Sequence, residues 1–97
     1  MHGRQPAIYI MANKPYGTLY TGVTSDLIKR IYQHKHLAID CFTNRYNYKR
    51  LVYYEQCENM MSIIEREKQI KAGSRKTKIL LIERMNPEWL DLYETLL

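Results

Sequence analysis

Two short apolar segments near the start of the chain decide the fold: AIYIMA at residues 7–12 and TLYTGV at residues 18–23. Both contain several β-branched and aromatic residues, which favour β-strands. The segment between them, NKPYG at residues 13–17, has a proline that fixes φ and a glycine that tolerates positive φ, as turns require. The three segments therefore predict an antiparallel β-hairpin.

A helix is predicted directly after the hairpin, from about Leu27 to His36. Thr24-Ser25-Asp26 offers residues that commonly cap a helix N-terminus. The side chains expected on its inner face are Leu27, Ile28, Ile31 and Lys35. Farther along, RLVYYE at residues 50–55 predicts a third strand, which we expect at the centre of the sheet because it is dense in apolar residues.

Two further helices are predicted, one from Asn59 to Ala72 with Gly73 as its stop, and one from a Ser74 cap to about Arg84. NPEW at residues 86–89 predicts a last helical turn with proline at its first position. The side chains expected to face the core are Met60, Ile63, Ile64, Glu67, Ile70 and Lys71 in the first helix and Ile79, Leu80 and Ile82 in the second. The order β-β-α-β-α-α predicts an α/β (α+β) fold, a small three-stranded antiparallel sheet flanked by helices.

The composition fits one globular domain over residues 1–97, with one modest core. The net charge of +5 favours a polyanionic partner. Cys41 and Cys57 do not form a C-x-x-C pair, which argues against a structural zinc site. The first apolar run has only six residues, too short for a signal peptide, and no stretch approaches the ~18 apolar residues of a membrane span. A cytoplasmic protein that does not associate with membranes is expected.

The order of motifs resembles the GIY-YIG nucleases. Ala7-Ile8-Tyr9 and Tyr20-Thr21-Gly22 are similar to the paired GIY and YIG signature, with ten residues between them. LIKRIYQH at residues 27–34 is similar to the family's first helix, and REKQIK at residues 66–71 to the acidic second helix of its small single-domain bacterial branch. The likeness, which extends to the catalytic domain of excision-repair nucleases, covers a core of about residues 7–93. One departure is Val23, where excision-repair relatives carry a lysine; the candidate substitutes are Lys14, Lys29 and Lys35.

This resemblance implies a metal-dependent endonuclease that hydrolyses phosphodiester bonds in nucleic acid, with DNA favoured over RNA as the substrate. A preference for a particular DNA structure and a role in repair or recombination are options that it leaves open. The catalytic residues that it implies are Tyr9, Tyr20, Arg30, His34 and Glu67. Strand alternation allows the two tyrosines to share one face of the hairpin. An unperturbed tyrosine has a pKa near ~10 and is a weak base, but a nearby cation or metal favours the phenolate. A tyrosine so placed can orient water or accept its proton.

The helical candidates have distinct expected roles. Arg30 and His34, four residues apart, share a helix face, where a guanidinium can stabilise phosphate charge and an imidazole can assist proton transfer. Glu67 is preferred to Glu65 as metal ligand, because it shares a face with apolar residues and so points toward the sheet. One carboxylate with waters and substrate phosphate suits Mg²⁺ (or Mn²⁺). The other reading of Glu67 is a structural salt bridge.

Nucleic acid is expected to meet a set of basic side chains: Lys35, Arg45, Lys49, Arg50, Arg75, Lys76 and Lys78, together with Arg30. Tyr46 and Tyr48 either stack on exposed bases or pack under the edge of the domain. Two other functions stay open at this point. The domain could be a non-catalytic nucleic-acid-binding module that retains the fold, or an adaptor that binds a protein partner through Trp89-Leu90 and Tyr93.

Overall fold

The computed structural model describes residues 5–36 and 48–97. Its elements, in chain order, are β1 (Ala7–Ala12), β2 (Leu19–Thr24), α1 (Leu27–His36), β3 (Arg50–Gln56), α2 (Met60–Ala72), α3 (Arg75–Met85) and a 3₁₀ helix (Leu92–Leu96). The predicted α+β fold and the order β-β-α-β-α-α are confirmed. The predicted bounds of α1 match the observed helix.

The three strands form an antiparallel sheet in the order β2-β1-β3. The prediction that the third strand is central is therefore wrong, because β1 lies between the other two. The hairpin fixes β2 on one side of β1, so β3 adds to its free side. All six residues of β1 are buried, as a central strand requires. The apolar density of β3 has another cause, since α3 packs against it and the C-terminal 3₁₀ helix contacts it.

Each face of the sheet is covered by helices. We call the side covered by α1 and the 3₁₀ helix the α1 face, with buried residues Ala7, Tyr9, Met11, Leu27, Ile31, Tyr48 and Leu51. The side covered by α2 and α3 is the α2 face, with buried residues Ile8, Ile10, Ala12, Val52, Tyr53, Ile63, Ile70, Ile82 and Trp89. Strand alternation sends successive residues of β1 to opposite faces.

The inner faces of the helices are narrower than predicted. In α1 the buried residues are Leu27, Ile31 and His34, whereas Ile28 is exposed. Exposure also corrects four other residues predicted to face the core, Met60, Ile64, Lys71 and Leu80. The prediction assigned too many residues of these helices to the buried face and so made that face too wide. A short helix on a three-stranded sheet buries only a stripe of residues, and apolar residues beside this stripe stay in solvent.

The helix caps follow the sequence closely up to residue 85. The side chain of Ser74 accepts a hydrogen bond from Thr77 N, as expected of the predicted cap. Asn59, predicted as the first residue of α2, is its cap, and its side chain accepts a hydrogen bond from Ser62 N. Residues 86–89, in contrast, do not form the predicted helical turn. The buried Asn86 side chain instead bonds both backbone groups of Leu90, and Trp89 has φ 57. The turn comes later, as the 3₁₀ helix, whose cap is Asp91.

The C-terminal segment is fastened to α1 and β3 by Asp91. Its carboxylate forms an ion pair with Lys35 on α1 and accepts a hydrogen bond from Leu51 N on β3. At the same end of the sheet, in the hairpin turn, the ring centroid of Tyr16 lies 4.5 Å from that of the fully buried Trp89, and the Tyr16 hydroxyl donates to Glu83 on α3. No helix in the described parts of the chain is long and apolar enough to cross a membrane.

Candidate active site

The two signature tyrosines share the α1 face of the hairpin. Tyr9 is paired with Gly22, and Met11 with Tyr20, so the tyrosines are diagonal neighbours across β1 and β2. Their ring centroids are 6.4 Å apart. Tyr9 is almost fully buried, whereas Tyr20 is half-buried. The hairpin register therefore brings both rings together and leaves Tyr20 nearer to solvent.

Gly22 is required by the position of the Tyr9 ring. A Cβ atom at Gly22 would lie 2.6 Å from the Tyr9 hydroxyl oxygen and 2.7 Å from Tyr9 Cζ. It would also lie 3.2 Å from Tyr20 Cε2. Contacts under 3.0 Å are repulsive, so any other residue at this position displaces the Tyr9 ring. The glycine that ends the YTG triplet thus makes room for the tyrosine of the first triplet.

His34 completes the cluster from α1. Its Nε2 atom is hydrogen-bonded to the Tyr9 hydroxyl at 3.0 Å. The imidazole centroid lies 5.6 Å from that of Tyr9 and 5.7 Å from that of Tyr20. Because His34 is only 7% exposed, this contact is made inside the domain, where a hydrogen bond is stronger than in water. Sequence spacing placed His34 near the site, and the structure brings it into direct contact with one tyrosine and beside the other.

Tyr48 packs beside this cluster instead of reaching solvent. It is 1% exposed, and its ring centroid is 5.7 Å from that of Tyr20. Of the two readings of this residue, the structure gives packing, since a buried ring does not stack on a nucleic-acid base. Tyr46 and Arg45 lie outside the described residues.

Arg30 opens onto a polar pocket at the start of α1. The pocket has a volume of ≈ 190 Å³, and its lining residues are Thr24, Ser25, Asp26, Lys29, Arg30 and Gln33. Arg30 is half-buried and lies one helical turn before His34. At about 100° per residue, the two side chains are about 40° apart around the axis. α1 therefore directs His34 toward the tyrosines and Arg30 toward the pocket.

Glu67 is on the flank of α2 that faces away from β3. Arg66 marks the other flank, because its guanidinium binds the Glu55 carboxylate on β3 at 2.9–3.1 Å. Glu67, the next residue, is rotated by about 100° around the helix axis from Arg66, so it lies on the side of α2 nearer to β2. The helix packs against both β1 and β2. The Glu67 side chain is 19% exposed and Glu65 is exposed, as the sequence comparison of the two acids predicted.

The predicted site residues could bind a metal ion through one carboxylate, that of Glu67. No group of three or more His, Cys, Asp or Glu side chains with metal-binding geometry occurs among residues 5–36 and 48–97. Glu67 offers a hard oxygen ligand of the kind that Mg²⁺ prefers, and Mg²⁺ usually keeps several waters. Its carboxylate contacts Lys71 Nζ at 3.0 Å, so the salt bridge that was the alternative reading of Glu67 is present.

Residues 5–79 match a family model described as the GIY-YIG catalytic domain. The chain belongs to the GIY-YIG family. A UPF0213 protein of Staphylococcus saprophyticus is 37% identical over 75 residues, which is 77% of this chain and 90% of that protein. A UPF0213 protein of Syntrophus aciditrophicus is 36% identical over 72 residues, 73% of this chain and 82% of that protein. No solved structure matches the chain significantly.

Membership in the GIY-YIG family confirms the resemblance found in the sequence. The family indicates a nuclease-like function with nucleic acid as substrate, and its nucleases are generally metal-dependent. Its match ends at residue 79 and so leaves the end of α3 and the C-terminal segment outside. All five predicted catalytic residues lie inside the matched range.

Some of the basic residues predicted to bind nucleic acid form contacts within the domain, and others are exposed. Lys35 pairs with Asp91, and Arg50 Nη1 donates to Trp89 O at 3.1 Å, so both fasten the C-terminal segment. Arg75 and Lys78 donate to the backbone oxygens of Tyr16 and Gly73. Lys49 and Lys76 are exposed. Their contact with nucleic acid stays a prediction.

Some residues beside the site were not among the predicted catalytic or binding residues. Ser25 and Gln33 line the Arg30 pocket together with Lys29. Gln33 is three positions after Arg30, and such spacing places side chains side by side on a helix. Lys71 was assigned to the sheet-facing side of α2 without a role. The i, i+4 spacing from Glu67 was the signal for their pairing.

Proposed function

We propose that this domain is an active, metal-dependent endonuclease that hydrolyses phosphodiester bonds in DNA. The observation that carries the proposal is the Tyr9–Tyr20–His34 cluster on the α1 face, one helical turn from Arg30. A protein core gains nothing from collecting hydroxyls and an imidazole where aliphatic groups would fit, because buried polar groups lose their hydration. Such a cluster is suited to proton transfer.

Tyr20 is the group that meets the attacking water in this proposal. It is the more exposed of the two tyrosines, so its hydroxyl can reach a substrate at the surface. Tyr9 is buried and held by His34, which makes it a positioning residue for Tyr20. The imidazole offers a nitrogen that can hold or pass on a proton at the hydroxyl of Tyr9.

Arg30 stabilises the phosphate in this scheme. Its planar guanidinium can form paired hydrogen bonds to phosphate oxygens as negative charge accumulates on them. Lys29 lines the same pocket and adds a second positive charge. Among the candidate lysines, Lys35 is engaged with Asp91, so Lys29, which lines the Arg30 pocket, is the proposed replacement for the lysine that excision-repair relatives carry.

Glu67 is the proposed ligand for Mg²⁺ or Mn²⁺. When bound, such an ion supplies positive charge that stabilises the phosphate and the leaving oxygen. The chain contributes one carboxylate, so water and substrate phosphate complete the ligand shell. Glu67 is carried by α2, which packs on the opposite face of the sheet from the tyrosine cluster, and it lies on the side of α2 nearer to β2, the edge strand that also carries Tyr20.

The proposed substrate is DNA with an unusual structure, processed in repair or recombination in the cytoplasm. The net charge of +5 and the exposed Lys49 and Lys76 support binding through phosphates, whose strength falls with salt. Few candidate base-reading groups accompany these cations, which favours recognition of shape over sequence. A protein partner is a further possible source of specificity.

Cleavage assays on a panel of substrates test the proposal. Branched, nicked and single-stranded DNA and the matching RNA are incubated with the wild-type domain, with and without Mg²⁺. Tyr20→Phe removes one hydroxyl and keeps the ring, and we expect about a 10²-fold loss of cleavage with unchanged DNA affinity. Tyr32→Phe is the control, since Tyr32 is an exposed residue of α1.

Two results would count against an enzyme. If the wild-type domain binds these nucleic acids and cuts none of them with Mg²⁺ or Mn²⁺, the non-catalytic binding module is the better description. If Tyr20→Phe and Tyr9→Phe both cut at the wild-type rate, the tyrosines are packing residues and the mechanism loses its proton acceptor.

A further inference from the structure

An ion pair on α2 joins the proposed metal ligand to a cation of the same chain. Lys71 Nζ lies 3.0 Å from Glu67 Oε2. The glutamate precedes the lysine by four residues, which is the favourable order for an ion pair along a helix. The carboxylate that is proposed to hold a divalent cation is therefore in contact with a monovalent one.

The two partners of this ion pair differ in exposure. The Lys71 side chain is 54% exposed, whereas that of Glu67 is 19% exposed. A long, flexible side chain in solvent can leave its partner without disturbing the core, and the partly buried carboxylate keeps its place. The mobile member of the pair is thus the cation. Lys71 is also in the last turn of α2, where the helix dipole favours positive charge.

We propose that Lys71 is a positioning residue that competes with the divalent cation for Glu67. This inference rests on the proposed function, which assigns Glu67 as the ligand. A divalent ion and an ammonium group at one carboxylate repel each other, so each weakens the binding of the other. Lys71 keeps the metal affinity of the free domain low. Its displaced ammonium is in solvent, where a polyanion can bind it, and metal binding is thereby favoured when nucleic acid is present.

Titration with Mn²⁺ in the absence of nucleic acid tests this competition. The electron paramagnetic resonance signal of free Mn²⁺ gives the bound fraction without any cleavage assay. At low ionic strength, Lys71→Gln should bind Mn²⁺ roughly three- to tenfold more tightly than the wild type. Lys71→Arg keeps the charge and should bind as weakly as the wild type. The control is Lys68→Gln, an exposed lysine turned by about 100° from Glu67, which should change affinity less than twofold.

Salt provides a second measurement. Because Lys71 is more than half exposed, its repulsion should be screened, and the affinities of the wild type and Lys71→Gln should converge as ionic strength rises. A purely structural ion pair would instead change the melting temperature of the metal-free protein without changing its Mn²⁺ affinity.

The failure of this inference is distinguishable from failure of the proposed function. If Glu67→Gln abolishes Mn²⁺ binding while Lys71→Gln binds as the wild type does, the competition is refuted and the metal site stands. Tighter binding by Lys71→Arg would also refute it, because the charge is still present. If Glu67→Gln binds Mn²⁺ with wild-type affinity, the metal assignment and the inference fall together.

Discussion

The two faces of the sheet are formed by the same three strands, yet they carry different chemistry. On the α1 face, the phenol and imidazole groups of Tyr9, Tyr20 and His34 lie together inside the domain. The buried apolar cluster of the α2 face is aliphatic apart from Tyr53 and Trp89, and the buried Thr21 lies opposite Ile10 on the same face. Two ion pairs lie at its partly exposed rim, Glu55 with Arg66 and the proposed metal ligand Glu67 with Lys71.

The difference separates the proposed proton-transfer cluster from the apolar core of the domain. Burying a polar group costs free energy unless it finds a hydrogen-bond partner, so a core built only for stability is aliphatic. The apolar cluster of the α2 face follows that rule. The α1 face departs from it at three adjacent side chains, and such departures are typical of functional sites. One central strand serves both purposes because its side chains alternate between the faces.

Arg30→Ala gives the strongest test of this separation. We expect it to reduce cleavage by roughly 3–4 kcal/mol of transition-state stabilisation, or about 10²–10³-fold. Folding should be unaffected, because Arg30 is half-buried beside a polar pocket and is not one of the buried α1-face residues. Single-turnover cleavage rates and thermal unfolding of the same preparations measure the two effects.

The matched control for Arg30→Ala is Lys76→Ala, an exposed residue at the start of α3. It should leave the rate at saturating DNA unchanged. Should Arg30→Ala fold and cut as the wild type does, Arg30 has no part in the chemistry. Unfolding of the variant would instead show that the α1 side of the domain also depends on this residue for stability.

Gly22→Ala should affect both properties, because it alters the place where the tyrosines pack. The added Cβ would meet the Tyr9 ring at 2.6–2.7 Å. Such overpacking typically costs about 1–3 kcal/mol of stability, and a displaced Tyr9 should lower cleavage by about tenfold. Gly73→Ala is the control, since its nearest contacts would be 3.4–3.5 Å. If both alanine variants are equally stable and active, the Tyr9 ring adapts and its position is not critical.

Most of the fold could be predicted from the sequence because local signals were unambiguous. Strand composition, the turn at residues 13–17 and the cap at Ser74 each point to one structure. Two features could not be obtained in this way. Strand order depends on which edge β3 joins, and the turn at residues 86–90 depends on Asn86 reaching buried backbone groups. Both are decided by contacts distant in sequence.

The candidate site was foreseeable in its residue types and less so in its geometry. The paired motifs indicated Tyr9 and Tyr20, and strand periodicity allowed them to share a face. No sequence rule could give the contact between Tyr9 and His34, which are 25 positions apart. The role of Gly22 likewise follows only from the register, which places it opposite Tyr9.

On the α2 face, Glu55→Gln should reduce stability without affecting cleavage. Burial disfavours the charge of Glu55, but hydrogen bonds from Arg66 and Tyr53 and the charge of Arg66 outweigh burial and lower the pKa of Glu55. Burial together with the bond to Glu55 raises the pKa of Tyr53 to about 12. With one partly exposed ionic pair lost, we expect a loss of about 1 kcal/mol at neutral pH.

The pH dependence of the free energy of unfolding shows how the shifted pKa values of Glu55 and Tyr53 contribute to stability. A lowered carboxyl pKa stabilises the folded state above the ordinary value of 4.5, and this part is lost as pH falls below it. A raised phenol pKa stabilises the folded state below pH 10.0, and this part is lost as pH rises toward about 12. Urea unfolding of Glu55→Gln should show a weaker acid dependence than the wild type. An identical acid profile would mean that other carboxylates dominate.

The smallest effect is expected for Lys35→Met, which tests whether a predicted DNA-binding lysine is structural. The Lys35 ammonium pairs with Asp91 and donates to Lys49 O at 2.9 Å, and its side chain is 17% exposed. Methionine keeps the apolar stem, so the loss should be at most about 1 kcal/mol and should shrink with salt. Because the ammonium is already engaged, the slope of log affinity for DNA against log salt should not change. Lys29→Met is the comparison, since Lys29 lines the Arg30 pocket and a lost phosphate contact should reduce the slope by about 0.9. If Lys35→Met lowers the slope and leaves stability intact, Lys35 contacts DNA, and the basic nucleic-acid surface extends from the pocket to the C-terminal segment.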